Sequence, residues 1–74
     1  MPGALEGFTI YYNARDFPDE FVCRRWTAAA GVVVQHELIA RGSTLAAVRR
    51  RLPPGLYNIG RMLADEPQIV EVWV

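Results

Sequence analysis

Gly42-Ser43-Thr44-Leu45-Ala46-Ala47-Val48-Arg49-Arg50-Arg51-Leu52-Pro53-Pro54-Gly55 carries the clearest local signal in this chain. Ser43 has the side chain of a good N-cap, and Leu45, Val48 and Leu52 recur at i, i+3 and i+7 to form one apolar stripe. The double proline followed by glycine cannot continue a helix and stops it there. The stretch is therefore a short helix with a single apolar face. Such an element covers only one side of whatever it packs on.

The segments on either side read as strands. Phe8-Thr9-Ile10-Tyr11-Tyr12 alternates strictly, with Phe8, Ile10 and Tyr12 on one face and Thr9 and Tyr11 on the other. Residues 13–19, with Asp16 and Pro18, have turn chemistry. Phe21-Val22-Cys23-Arg24-Arg25-Trp26 is a second strand, rich in aromatic and β-branched residues. Thr27-Ala28-Ala29-Ala30-Gly31 is read as a turn. From Val32 to Arg41 the alternation resumes, with Val34, His36, Leu38 and Ala40 sharing one face; a helix over 28–40 is the rival, and Gly31 counts against it. After the central helix, Leu56–Arg61 reads as a short strand, residues 62–67 as a turn, and Ile69-Val70-Glu71-Val72-Trp73-Val74 as a last strand.

The expected fold is thus α+β: a mostly antiparallel sheet of about five strands, with one short helix over one face, in the order βββαββ. Residues 1–7, with two glycines and a proline, read as a flexible lead-in, and 8–74 as a single domain. At 74 residues the chain buries only about 60% of the surface that it exposes when unfolded, so its stability rests on a small core. The lone Cys23 excludes an internal disulfide. No basic-then-apolar leader opens the sequence, and no apolar run approaches the roughly 20 residues that span a bilayer. The expectation is a cytoplasmic protein with no membrane partner.

Charge is unevenly distributed. All eight cationic side chains are arginine, and seven of them fall between Arg24 and Arg61. Residues 1–20 carry a net charge of −3, residues 21–61 of +6 and residues 62–74 of −3, so the chain as a whole is neutral. Arginine's planar, weakly hydrated fork suits carboxylate, phosphate and aromatic partners at interfaces. This segregation predicts a surface of guanidinium groups that lack carboxylate mates within the molecule.

Two clusters carry that expectation. Arg50 points away from the Leu45–Val48–Leu52 stripe with Arg49 and Arg51 beside it, and no acid stands at i−4 or i+4 to neutralise them. The plainer reading is that they complement the carbonyl end of the helix. In the second cluster Arg24 lies on the same strand face as Trp26 and Arg25 lies opposite, so a guanidinium can stack on the indole. The plainer reading there is an edge strand whose aliphatic stems cover the core. Tyr11 and Trp73 complete the candidate partner-binding set; Trp73 either closes the core's edge or meets a partner.

Nothing catalytic stands out. His36 and Cys23 are too few for a closed zinc site, and a Cys–His nucleophile pair would need them to meet across strands. Asp16, Asp19 and Glu20 flank a proline turn and solubilise it. Gly55 and Gly60 read as turn or bulge residues and do not make a phosphate loop. No catalytic residue, metal site or cofactor is expected.

The stretches Thr-Ile-Tyr-Tyr, Asp-Phe-Pro and Phe-Val-Cys-Arg-Arg-Trp between Phe8 and Trp26 resemble short proteins of proteobacteria and their phages. So do Thr-Leu-Ala-Ala-Val-Arg, Leu-Pro-Pro-Gly-Leu and Ile-Val-Glu-Val-Trp-Val between Thr44 and Val74. Within that group the chain is similar to type I-C anti-CRISPR proteins. Residues 27–35 depart from the pattern, because they lack its proline-rich linker. The resemblance implies a non-enzymatic inhibitor that occludes a type I-C surveillance complex, with an arginine and aromatic surface as the contact. The weaker alternatives are a nucleic-acid-binding module that uses Arg24, Arg25, Arg49, Arg50 and Arg51 with Tyr11 or Trp26 stacking on bases, and a small ribonuclease toxin built around His36. A neutral chain argues against the first of these. A homodimer paired through the terminal strand is also open.

Overall fold

The structure is a computed structural model, and it describes residues 5–61 and 67–74. Alternating apolar and β-branched residues produce five strands and one helix: β1 (Leu5–Ala14), β2 (Phe17–Ala29), β3 (Val32–Gly42), α1 (Leu45–Arg49), β4 (Asn58–Gly60) and β5 (Ile69–Trp73). All pairings are antiparallel, in a single sheet of order β3-β2-β1-β5-β4. The protein is therefore a small α+β unit, mostly sheet, with one short helix. Among the described residues no helix is long and apolar enough to cross a membrane.

Strands overrun the limits that local propensity suggests. β1 begins at Leu5, so residues 5–7 are sheet rather than lead-in; residues 1–4 lie outside the described part of the chain. β2 continues through Thr27, Ala28 and Ala29, because each has a partner on both neighbouring strands or on β3. Only Ala30 and Gly31 make the connection to β3, both at positive φ (54° and 79°). That is the backbone a two-residue hairpin needs to match strand twist. The rival helix over 28–40 is not formed, since the ladder from β2 fixes this segment as strand. The turn expected over 62–67 falls almost entirely outside the described residues.

Directly paired residues share a face, so the registers sort the side chains. Phe8, Ile10 and Tyr12 of β1 stand with Arg25, Cys23 and Phe21 of β2 and with Trp73 and Glu71 of β5. Val48 of α1 joins Phe8, Ile10, Cys23 and Ala40 in the core, with Leu45, Leu52, Leu56, Ile39, Val70 and Trp73 packed around it. The cap of α1 is Thr44, one residue beyond the expected Ser43; its Oγ1 accepts from Ala47 N at 3.2 Å. The Leu45–Val48–Leu52 stripe does face the core.

β3 does not keep simple alternation. Two residues, His36 and Glu37, oppose Arg25, and Ile39 is an extra residue between the Arg24–Leu38 and Cys23–Ala40 pairs. These bulges put Leu38 on the opposite face from Val34 and Ala40, which correct the expectation that all four even-numbered residues align. A third bulge, at Val70, turns that side chain toward the core next to Glu71. β5 lies between β1 and β4, so the terminal strand is interior and the edges of the sheet are β3 and β4.

Candidate interaction face

The face of the sheet opposite the core is apolar for much of its width. Trp26 is the centre of it. Its indole packs against Gly7 of β1, so close that a Cβ at Gly7 would come within 2.1 Å of a ring carbon, and its Nε1 donates to Thr9 Oγ1 at 3.0 Å. Glycine in a strand marks close approach of another group, and here that group is the aromatic ring. Around it Thr9, Tyr11, Trp26, Val33, Gln35, Ile59, Ile69 and Val72 line an open hollow of about 300 Å³. Val33 and Ile59 are 62% and 54% exposed, which is much open apolar surface for side chains that meet in one hollow.

A second hollow of about 380 Å³ adjoins the first along the same face, lined by Tyr11, Ala14, Arg15, Arg24, Gln35 and Gln68. Tyr11 and Gln35 line both. One end of the combined depression is therefore apolar and the other carries guanidinium groups. Arg24 gives one of its nitrogens to Asp16 at 2.8 Å, whereas Arg15 has no carboxylate partner among the described residues.

The core side holds a different arrangement. Glu71, only 5% exposed, is the cross-strand neighbour of Ile10. Its Oε1 accepts from Arg49 Nε at 2.9 Å and from Trp73 Nε1 at 3.0 Å. Its Oε2 accepts from Asn58 Nδ2 at 3.0 Å and from Arg49 Nη2. One carboxylate thus ties α1, β4 and β5 together. The Arg49 hydrogen bond, helped by those from Trp73 and Asn58, outweighs burial and holds the Glu71 carboxyl below its ordinary value.

The arginines are therefore not an unmatched rim. Arg24 pairs with Asp16, Arg25 with Glu6 and Glu37, Arg41 with Glu20, and Arg49 with Glu71. The reason is topological. Glu6 and Glu71 lie on β1 and β5, which are interior strands, while Asp16 stands in the β1–β2 turn and Glu20 and Glu37 on β2 and β3, so charges segregated along the chain become interleaved in space. Only Arg15, Arg50, Arg51 and Arg61 lack a carboxylate partner among the described residues. The positions expected to bind a partner divide accordingly: Tyr11, Arg24 and Trp26 come together on the open face, Arg25 and Trp73 lie on the core side, and Arg49 is engaged by Glu71. Arg50 and Arg51 are exposed just beyond α1. The guanidinium that sits over a ring is that of Arg41, 4.9 Å from the centre of Phe17, and not one over Trp26.

Cys23 and His36 do not meet. Cys23 is wholly buried in the core, where desolvation pushes its thiol up to about 11. His36 Nε2 lies 2.7 Å from Thr27 Oγ1, four residues further along β2, which is about 13 Å at strand spacing. No three His, Cys, Asp or Glu groups converge among the described residues as a metal ion would require.

Val33, Gln35, Ile59, Ile69 and Val72 were not singled out by sequence reasoning. The signal available for them was Gly7, a glycine one residue before a strand-like run, which marks the ring that nucleates the hollow. Comparison with protein families, with curated proteins and with solved structures returns no match.

Proposed function

We propose that this chain acts without turnover, as a small protein-binding inhibitor that occupies a surface on a larger assembly. In this reading α1 and the chain up to Leu56 cover the core face of the βββαββ sheet, and the opposite face is the contact. One observation carries it: Trp26, Tyr11, Val33, Ile59, Ile69 and Val72 converge in one open hollow on a face that an antiparallel sheet ordinarily keeps polar when it meets only water. Trp, Tyr and Arg are the residues most enriched at the energetic centres of interfaces. The contact is thus assigned to the aromatic and aliphatic face, with the arginines secondary. The resemblance to type I-C anti-CRISPR proteins names the type I-C surveillance complex of a bacterial host as the partner to try first, and the cytoplasm as its setting.

The nucleic-acid alternative is weaker, because three of its five arginines already hold carboxylates of the same chain. The ribonuclease alternative leaves His36 with Thr27 as its one hydrogen-bond partner among the described residues.

The test uses purified type I-C surveillance complex, with co-elution on gel filtration and target-duplex binding by gel shift. Wild type is expected to co-elute and to block duplex binding stoichiometrically. The Val33→Glu, Ile59→Lys double variant changes only exposed positions, and it is expected to lose at least about thirtyfold in affinity while its circular dichroism is unchanged. No association of the wild type, or equal potency of a folded double variant, overturns the proposal.

A further inference from the structure

We infer that the open face receives an extended acidic segment of a protein partner, one that carries an apolar side chain and a carboxylate two residues apart. This rests on the reading of that face as the contact surface, and adds the chemistry of what it contacts.

The two adjoining hollows supply the argument. The apolar one is floored by Trp26, Ile69 and Val72, and the polar one carries Arg24 and Arg15. Arg24 and Trp26 are at i and i+2 on β2, so they point to the same side and stand about 7 Å apart along the strand. An extended segment lying over the face has the same repeat. An apolar side chain seated against Trp26 then brings the residue two positions away to Arg24, with Arg15 lining the same hollow.

Charge decides which side chain belongs there. Asp16 occupies one nitrogen of Arg24, leaving the rest of its fork to donate, and Arg15 has no carboxylate among the described residues. Among the described residues two guanidinium groups stand against one acid here, which favours an incoming anion, and a carboxylate accepts from such forks in pairs. Gln35 and Gln68 add amide donors at the rim. A basic segment meets like charge there. A nucleic-acid strand would set its phosphates against only two cations, and its sugars against Val33 and Ile59.

The test is selection from a random dodecapeptide display library against the full chain, followed by anisotropy titration of the selected peptide carrying a fluorescent label. The expected motif is an apolar residue followed or preceded at two positions by Asp or Glu. Arg15→Glu is expected to weaken that peptide about tenfold or more. Replacing the peptide's acid by Lys is expected to abolish binding to wild type and to restore binding to Arg15→Glu. Ile59→Lys is expected to abolish binding altogether.

If the selected peptides are apolar without acids and bind Arg15→Glu as well as wild type, the acidic inference fails while the face reading stands. If they bind Ile59→Lys unchanged, or if no binder emerges, both fail. If the free chain is a dimer that Ile59→Lys dissociates, a second copy occupies the face and the acidic segment is excluded.

Discussion

Replacing Glu71 by Gln tests the account of how this small fold is held together. The substitution keeps shape and removes charge. Each carboxylate oxygen accepts two hydrogen bonds, Oε1 from Arg49 and Trp73 and Oε2 from Arg49 and Asn58. Whichever way the amide turns, its NH2 faces two donors, so two bonds are lost and the remaining two lose their charge. A hydrogen bond to a charged group contributes about 1.5–3 kcal/mol. Arg49 is half exposed, so water replaces part of what it loses. Discounted in this way, the loss for Glu71→Gln is about 2–3 kcal/mol, out of roughly 4–11 kcal/mol for a chain of this length.

Urea denaturation followed by tryptophan fluorescence measures it directly. With a slope of about 1 kcal/mol/M the midpoint falls by about 2 M or more. The pH dependence follows from the same group. Its folded pKa is depressed, so the stability it confers is fully present above the ordinary value of 4.5 and is lost as the pH falls through the folded pKa. Wild type therefore loses its advantage over Glu71→Gln between about pH 4.5 and the depressed value, and the two converge in stronger acid. A Glu71→Gln unfolding free energy within about 0.5 kcal/mol of wild type at neutral pH would refute the reasoning.

Three further outcomes follow from single residues. Gly7→Ala forces its new methyl into the Trp26 ring, so it destabilises by about 1–3 kcal/mol and red-shifts the tryptophan emission as the indole lifts off β1; an unchanged spectrum and midpoint contradict the stacking. Cys23, buried and with its thiol pushed up to about 11, is expected to resist a thiol reagent at neutral pH until denaturant is added, and rapid stoichiometric labelling of the native protein contradicts its place in the core. Ala30 sits at a φ of 54° in an exposed hairpin turn, so Ala30→Asn is expected to raise stability by about 0.5–1 kcal/mol in the same urea assay, and a loss would mean the turn is not of this type.

How much of this was legible in the sequence varies with the range of the forces involved. The Leu45–Val48–Leu52 stripe and the alternation of Phe8, Ile10 and Tyr12 are short-range patterns, and both face where their spacing says. Strand ends are different. Three alanines have little preference for sheet, and Ala28 and Ala29 are strand because β3 pairs with them across the Ala30-Gly31 turn. The bulges at residues 36–37, 39 and 70 leave no mark on local periodicity, yet they decide which side Leu38 and Val70 take. The electrostatics misled most. Counting charge along the chain put anions at its ends and cations in its middle, but strand order carries Glu6 to Arg25 and Glu71 to Arg49. Arg24 and Trp26 were legible as candidates because Arg and Trp are enriched at the energetic centres of interfaces, and Tyr11 as an aromatic side chain able to stack on a partner. Ile59, Ile69 and Val72 join them only through the β1–β5–β4 pairing.

The central claim is that the face bearing Trp26 is what this protein uses to bind. Hydroxyl-radical footprinting of the chain, free and bound to its partner complex, reads it side chain by side chain. Val33 and Val34 are neighbours on β3 that point to opposite faces, and both are exposed when the chain is free. The account predicts that binding protects Trp26, Val33 and Ile59 from oxidation while Val34 and Tyr12 react as before. Protection of Val34 and Tyr12, with Val33 and Ile59 still reactive, would contradict it.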